Sequence, residues 1–169
     1  MHRWRSALLL MWTIAVLTPL TGTPRLLAAD PLSTIADGEP GGAEVKGRAV
    51  FTRADGTTHT CRYGEAVLVP ANSRSRNVVQ SFFGGTTEGH IRETNYRNLL
   101  EQIGPDAVRA DCDKDGRFAF GNVKAGSYFI LGRTLWFNRW AHDGQILMRS
   151  VEIADAGEVD VFLQFPENP

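Results

Sequence analysis

Residues 113–128 read DKDGRFAFGNVKAGSY, and this stretch decides the fold. The Asp-Gly pair at 115–116 is typical of a hairpin turn, because glycine adopts the positive φ that tight turns between strands require. Phe118 and Phe120 are two residues apart, so in a strand both side chains point to the same face, towards a core. Gly126 then permits a tight entry into the next strand. The stretch therefore predicts a turn, a strand, a second turn and a second strand.

Short stretches with strand-like patterns lie on both sides of this region. In the first, Val45, Gly47, Ala49 and Phe51 alternate with charged residues, and this period of two points the four residues towards a core. Turn signals with glycine separate the stretches. The predicted strands cover residues 45–51, 65–70, two stretches between 108 and 120, 127–137, 146–153 and 159–163. Seven short strands of this kind predict an all-β fold, an antiparallel β-sandwich.

One segment, residues 71–105, is too long for an ordinary connection between strands. Its first part, at 72–80, is polar and basic, and a flexible Gly-Gly hinge follows. Four side chains then recur at helical spacing, namely Tyr96, Leu99, Leu100 and Ile103. They predict a short amphipathic helix over 93–103 that stops at 104–105. The insert is either a helix laid over one sheet edge or a binding appendage.

The order of residues from Asp113 to Tyr128 resembles the carboxypeptidase regulatory-like domain: an acidic residue, an Asp-Gly turn, two aromatic residues two apart, a short turn and Gly-x-Tyr. The first strand, at 47–51, and the last strand extend the resemblance over most of residues 43–164. It implies a seven-stranded antiparallel, transthyretin-like or Ig-like β-sandwich. The long insert and the cysteines depart from the general pattern and are similar to an exported bacterial subgroup.

The same resemblance bears on function. Domains of this type act mostly as accessories for folding, protein contact or glycan binding, and they lack a catalytic centre of their own. The resemblance therefore implies a binding role and no peptidase activity.

The first residues are typical of a secretory signal. Arg3 and Arg5 precede an apolar run at 7–17, and Leu-Leu-Ala-Ala at 26–29 offers small residues for cleavage. The run is shorter than the roughly 20 residues that cross a bilayer as a helix, so no stable membrane anchor is expected after cleavage. The predicted segments are a signal peptide at 1–29, a flexible lead-in at 30–42 and a β-domain at 43–165. We expect a periplasmic or secreted protein.

The net charge and the missing motifs argue against nucleic-acid binding and against catalysis. Removal of residues 1–29 leaves 15 basic and 19 acidic residues, a net charge of −4. No basic stripe is present to neutralise phosphates, so we expect no nucleic-acid partner. The sequence has no nucleophile elbow, H-E-x-x-H motif, phosphate loop or dinucleotide fingerprint, and His59, His90 and His142 are far apart. We therefore expect no enzymatic activity and no cofactor.

Both cysteines, Cys61 and Cys112, lie in the part predicted to be exported, where an oxidising compartment favours a disulfide. Such a bridge would stabilise the fold by on the order of 4 kcal/mol in the chain-entropy model. Two free thiols, or a metal site that includes His59, are the alternatives. Two cysteines and one histidine supply too few ligands at no recognised spacing, so we expect no metal there.

Residues 111–116, DCDKDG, match the first half of a calcium loop. The twelfth position is Asn122 instead of a bidentate glutamate, and Arg117 lies inside the would-be site. We interpret the segment as a hairpin turn and not as a metal site.

The candidate binding surface is the segment 136–144, WFNRWAHDG. Its candidate binding residues are Trp136, Phe137, Arg139, Trp140, His142 and Asp143. Indole faces stack on the apolar faces of sugars and on other rings, while neighbouring polar groups fix orientation. The alternative is that these rings cover an open end of the core. Trp140 lies beyond the strand pattern and is the one expected to be exposed; Phe82 and Phe83 in the insert raise the same question.

Three functions follow from these observations. The leading prediction is a non-catalytic exported binding or assembly domain that contacts an envelope protein through the insert and the loop at 136–143. The alternative is a carbohydrate-binding module that uses Trp136 and Trp140 as its platform. The third is a hydrolase with an unrecognised site built from His142 and Asp143.

Overall fold

A computed structural model describes residues 42–137 and 142–167 of the chain. The described part has two sheets, two α-helices and one short 3₁₀ helix. In chain order the elements are β1 (Ala43–Thr52), β2 (Thr58–Thr60), β3 (Glu65–Pro70), α1 (Ser73–Phe83), β4 (Glu88–Arg92), the 3₁₀ helix (Glu93–Asn95), α2 (Tyr96–Ile103), β5 (Val108–Asp111), β6 (Arg117–Val123), β7 (Gly126–Phe137), β8 (His142–Ile153) and β9 (Glu158–Pro166).

The first sheet is built around β1. Along one edge β1 pairs antiparallel with β2 and β6, and along the other edge it pairs in parallel with β9. The second sheet has the order β4-β8-β7-β3-β5, and all of its pairs are antiparallel. The two sheets face each other as a sandwich, and the helices pack on the outer face of the second sheet.

The core between the sheets follows the alternation read from the sequence. Val45, Ala49 and Phe51 of β1 are buried, as predicted, and so are Phe118 and Phe120 of β6. Gly47 also faces inward, where a Cβ would lie 2.3 Å from the Phe118 ring. The glycine therefore leaves the space that this aromatic ring fills.

The structure fits the predicted all-β sandwich but corrects its strand count and strand direction. The described residues hold nine strands instead of seven, because β2 and β4 add to the predicted set. Both are short and polar, with the sequences THT and EGHIR, so neither has the apolar alternation of a half-buried strand. The sandwich is also not wholly antiparallel, since β9 runs parallel to β1. An alternating pattern records which face is buried and not the direction of the neighbouring strand.

The insert at 71–105 contains more structure than the one helix predicted there. That helix is present as α2 and ends at Gly104, whose φ is 90°. The polar stretch before it forms α1, which was not predicted. The Asn72 side chain accepts a hydrogen bond from the Ser75 N–H at the start of α1, and Gly84 ends it in the left-handed conformation.

A second apolar cluster lies between these helices and the outer face of the second sheet. It joins buried side chains of α1 and α2, namely Val78, Val79, Phe83, Leu99 and Ile103, to buried side chains of β3, β7 and β8. Phe83 is thus a core residue, and Phe82 is half-buried beside it. The insert covers a sheet face, and in residues 42–137 and 142–167 no helix is long and apolar enough to cross a bilayer.

The predicted disulfide is confirmed. Cys61 and Cys112 are bonded and buried, and they join the segment after β2 to the segment after β5. The calcium-like segment beside it forms a hairpin turn, in which an Asp113 carboxylate oxygen accepts the N–H groups of Asp115 and Arg117, each at 2.8 Å. Gly116 completes the turn with a φ of 74°.

Candidate functional site

The predicted binding loop lies at the tip of a long hairpin. Strands β7 and β8 pair along their whole length, and the last two pairs are Trp136 with Asp143 and Phe137 with His142. Because successive side chains of a strand point to opposite faces, Trp136 and Phe137 lie on different sides of the second sheet. Arg139 and Trp140 lie outside the described residues.

Trp136 points towards the first sheet and is half-buried. Its ring stacks on Phe51, with 5.7 Å between centroids and 2° between planes, and on His59, at 4.5 Å and 24°. The Arg53 guanidinium lies 5.9 Å from the centre of the same ring. Trp136 thus packs at one end of the core, and a binding role for its half-buried ring stays a prediction.

Two imidazoles lie at this end of the core. Burial lowers the pKa of His59, and the nearby Arg53 charge lowers it further. The His90 ring packs edge-on against Phe51, at 5.1 Å between centroids, and its Nδ1 lies 3.3 Å from the Gln145 Oε1. These two histidines, distant in sequence, therefore belong to one aromatic layer.

Phe137 and His142 are exposed on the other side of the hairpin. The Phe137 side chain is 72% exposed, and its ring meets His142 at 86°, with 5.2 Å between centroids. Asp143 is half-buried, and its carboxylate accepts the N–H of Gly144 at 2.8 Å. His142 and Asp143 are neighbours on one strand and point to opposite faces, so the strand does not bring them together as the hydrolase hypothesis requires.

A groove that the sequence did not predict lies on this same side of the second sheet. It has a volume of about 750 Å³ and opens where the 3₁₀ helix and α2 pack beside β5 and β7. We call it the insert groove. It is lined by Glu93, Thr94, Tyr96, Arg97, Leu100, Glu101, Arg109 and Arg133. The insert therefore supplies one wall, and the strands supply the other.

Arg133 of β7 is fixed by two residues of the insert. Its Nε donates a hydrogen bond of 2.9 Å to the Glu93 Oε1, and its Nη2 donates to the same oxygen. The guanidinium also lies 4.7 Å from the centre of the Tyr96 ring. Gly144 lies against this contact, because a Cβ there would lie 2.2 Å from the Thr134 carbonyl oxygen and 3.1 Å from the Glu93 Cβ. The groove thus contains a planar cation held in one orientation.

Tyr96 lies beneath the Arg133 guanidinium, and Glu65 is close enough for its charge to act on the Tyr96 hydroxyl. The Tyr96 hydroxyl is buried and has no hydrogen-bond partner among the described residues. Burial, and then the charge of Glu65, raise the pKa of Tyr96 well above its ordinary value, so the phenol stays neutral. The Glu65 carboxylate pairs with Arg109, at 3.3 Å between the Arg109 Nη1 and the Glu65 Oε2.

The insert groove and the exposed aromatic pair share one face of the hairpin. Arg133, Leu135 and Phe137 are alternate residues of β7 and point to the same side, which places Arg133 about 14 Å from Phe137 along the strand. The sequence missed the groove because its walls come from separate segments. One signal was available in the sequence. Phe129, Leu131 and Arg133 are alternate residues of one strand, and the first two are buried beneath the helices. A charged side chain on a buried face needs a partner, so Arg133 indicated a polar contact there.

One further exposed aromatic ring lies on the opposite side of the molecule. Phe162 of β9 is 60% exposed on the outer face of the first sheet. No helix of the described residues covers that face. A cavity of about 490 Å³ beside the ring is lined by Lys46, Arg48, Arg117 and Asp160, among other residues.

Together the two sheets and the insert define a β-sandwich with a helical layer over one sheet. No family model matches the chain, and no curated protein matches it. A solved structure of a proposed carbohydrate binding protein from Pseudomonas aeruginosa is similar in fold, with a TM-score of 0.56 and 18% sequence identity. The match covers 73% of this chain and 88% of that one. At this identity the likeness shows the fold alone.

Proposed function

We propose that the chain is a non-catalytic, exported domain that binds a glycan along the insert groove and the Phe137 ring. The observation that carries the proposal is the Arg133 guanidinium, which Glu93 and Tyr96 hold in place in a groove of about 750 Å³. Sugar hydroxyls need both donors and acceptors, and the groove presents guanidinium and carboxylate groups side by side. Phe137 and Leu100 add apolar surface for the C–H faces of sugar rings.

One feature supports a protein outside the cytoplasm. The buried Cys61–Cys112 disulfide is typical of proteins from oxidising compartments, in agreement with the signal-like residues 1–29.

The comparisons add limited support for the ligand class. The structural neighbour from Pseudomonas aeruginosa is a proposed carbohydrate binding protein, and it shares the sandwich with this chain. Membership of the carboxypeptidase regulatory-like family, which residues 113–128 suggest, is likewise a proposal. It would agree with an accessory role in binding.

A glycan panel with two matched variants tests this function. Phe137→Ala removes an exposed ring beside the groove, and Phe162→Ala removes a similarly exposed ring from the opposite side of the molecule. We expect the first to weaken binding of the best ligand by about tenfold, as for loss of a stacked aromatic ring, and the second to leave it unchanged. Absence of binding to every glycan, or equal effects of the two variants, would overturn the proposal.

Contact with an envelope protein is the second candidate function, and Phe162 is the observation that favours it. An exposed aromatic side chain on an uncovered sheet face is typical of protein contact surfaces. Copurification of one envelope protein that is lost in Phe162→Ala and retained in Phe137→Ala would support this candidate.

A further inference from the structure

One of the cations that line the insert groove has no ion-pair partner in the described part of the chain. Three arginines line it, Arg97, Arg109 and Arg133, and three glutamates accompany them: Glu93 and Glu101 in the lining, and Glu65 paired with Arg109. Arg109 and Arg133 have Glu65 and Glu93 as ion-pair partners, whereas Arg97 has none among the described residues.

The hydrogen-bond donors of these arginines are also in excess. Arg133 uses its Nε and Nη2 for Glu93, which leaves its Nη1 without a partner there, and Arg109 uses only its Nη1 for Glu65. Arg97 is exposed on α2, lines the groove and has no ion-pair partner among the described residues. A guanidinium fork matches a carboxylate in geometry, so the groove favours a ligand that brings acceptors and negative charge.

We infer that the insert groove selects glycans whose sugar units carry carboxylate groups, and that Arg97 binds such a carboxylate. The inference rests on the glycan-binding function proposed above and names the class of sugar for it. Leu100 and the Phe137 ring contact the apolar faces of the sugar rings, while the arginines of the groove contact the carboxylate groups of the glycan.

A neighbouring residue, Glu101, should affect ligand affinity in the direction opposite to Arg97. Glu101 lies one helical turn after Arg97 on α2, is exposed, and lines the same groove. An acidic ligand is repelled by this carboxylate, so its neutralisation strengthens binding while neutralisation of Arg97 weakens it. Both side chains are exposed, and neither substitution threatens the fold.

The experiment measures binding of the full mature chain to polygalacturonate and to the same polymer after reduction of its carboxyl groups to alcohols. We expect the acidic polymer to bind about tenfold more tightly than the reduced one, with an affinity that falls as salt is added. Arg97→Gln removes this preference, and Glu101→Gln increases it by about threefold. Arg48→Gln, on the outer face of the first sheet, is the control that changes neither value.

Each contrary outcome has a separate meaning. Equal affinity for the two polymers, with no effect of Arg97→Gln, overturns the selection for acidic sugars and leaves the glycan-binding function standing. Binding to no neutral or acidic glycan overturns the proposed function and the inference together. Equally tight binding to poly-glutamate overturns the assignment to sugars and indicates an acidic protein as the ligand.

Discussion

Arg133 of β7 donates two hydrogen bonds to one carboxylate oxygen of Glu93, a residue 40 positions earlier in the chain. Both side chains are largely withdrawn from solvent. The contact joins the insert to the hairpin, and it lies in the lining of the insert groove. A pair in this position holds the helical layer on the sheet and fixes the orientation of the Arg133 guanidinium.

The first prediction concerns the stability of this contact. Glu93→Gln removes the charge that faces Arg133 in a partly buried site, so we expect the free energy of unfolding to fall by about 1–2 kcal/mol. Urea denaturation measures the change. The control is Glu88→Gln, which breaks the more exposed pair with Arg149 and should cost less than about 0.5 kcal/mol. Equal losses in the two variants would contradict the special role of the Arg133 contact.

Local patterns in the sequence were sufficient to predict most of the sandwich. The alternation in β1, the Asp-Gly turn at 115–116 and the helical spacing in α2 each depend on residues close together in the chain. The strands β2 and β4 could not be found in this way, because both are short polar segments without an apolar alternation. They are stabilised by pairing with the longer strands β1 and β8, and the local pattern does not record that pairing. Helix α1 carries few apolar residues, and only the cap at Asn72 and the buried Val78, Val79 and Phe83 reveal its face.

The candidate site was predictable only at the hairpin. Phe137 and His142 come from one short segment, so their composition indicated a binding surface. The insert groove needs Glu93, Arg109 and Arg133, which lie on three elements. Their approach depends on how the insert packs against the sheet, and no local pattern records that packing.

A second prediction concerns the disulfide. Cys61 and Cys112 are 51 residues apart, so removal of their bond frees a long loop in the unfolded chain. The Cys61→Ala, Cys112→Ala double variant should lose roughly 4 kcal/mol of unfolding free energy in the chain-entropy model. Urea denaturation of the double variant against the oxidised protein measures this loss. Thiol titration of the denatured, unreduced protein should find no free thiol, and detection of two would contradict the bond.

A third prediction uses the pH dependence of stability at the Trp136 end of the core. The pKa of His59 is lower in the folded protein than in the unfolded chain, because burial disfavours the charged ring. The unfolded chain therefore takes up the proton first, and the contribution of His59 to stability is present above about pH 6.5 and is lost as the pH falls below it.

Denaturation at pH 7.5 and at pH 5.5 tests this sign. His59→Phe should flatten the fall in stability between the two values, since it keeps a ring against Trp136 and cannot be protonated. His142→Phe, at an exposed position, is the control and should leave the fall in place. An unchanged fall in the His59 variant would show that another group causes it.

The last prediction returns to the turn at 115–116 and compares two glycines of similar backbone conformation. Gly56 and Gly116 both follow an aspartate and have φ values of 81° and 74°. A Cβ on Gly56 meets no atom within 4 Å, whereas a Cβ on Gly116 lies 2.5 Å from the Thr60 Cβ.

Alanine at either position carries the cost of a left-handed residue, about 1 kcal/mol. Gly116→Ala must also displace Thr60 beside the disulfide, so we expect it to cost about 2 kcal/mol more than Gly56→Ala. Thermal or urea denaturation of the two variants measures the difference in the free energy of unfolding. Equal losses in the two variants would show that Thr60 of β2 moves aside without destabilising the fold.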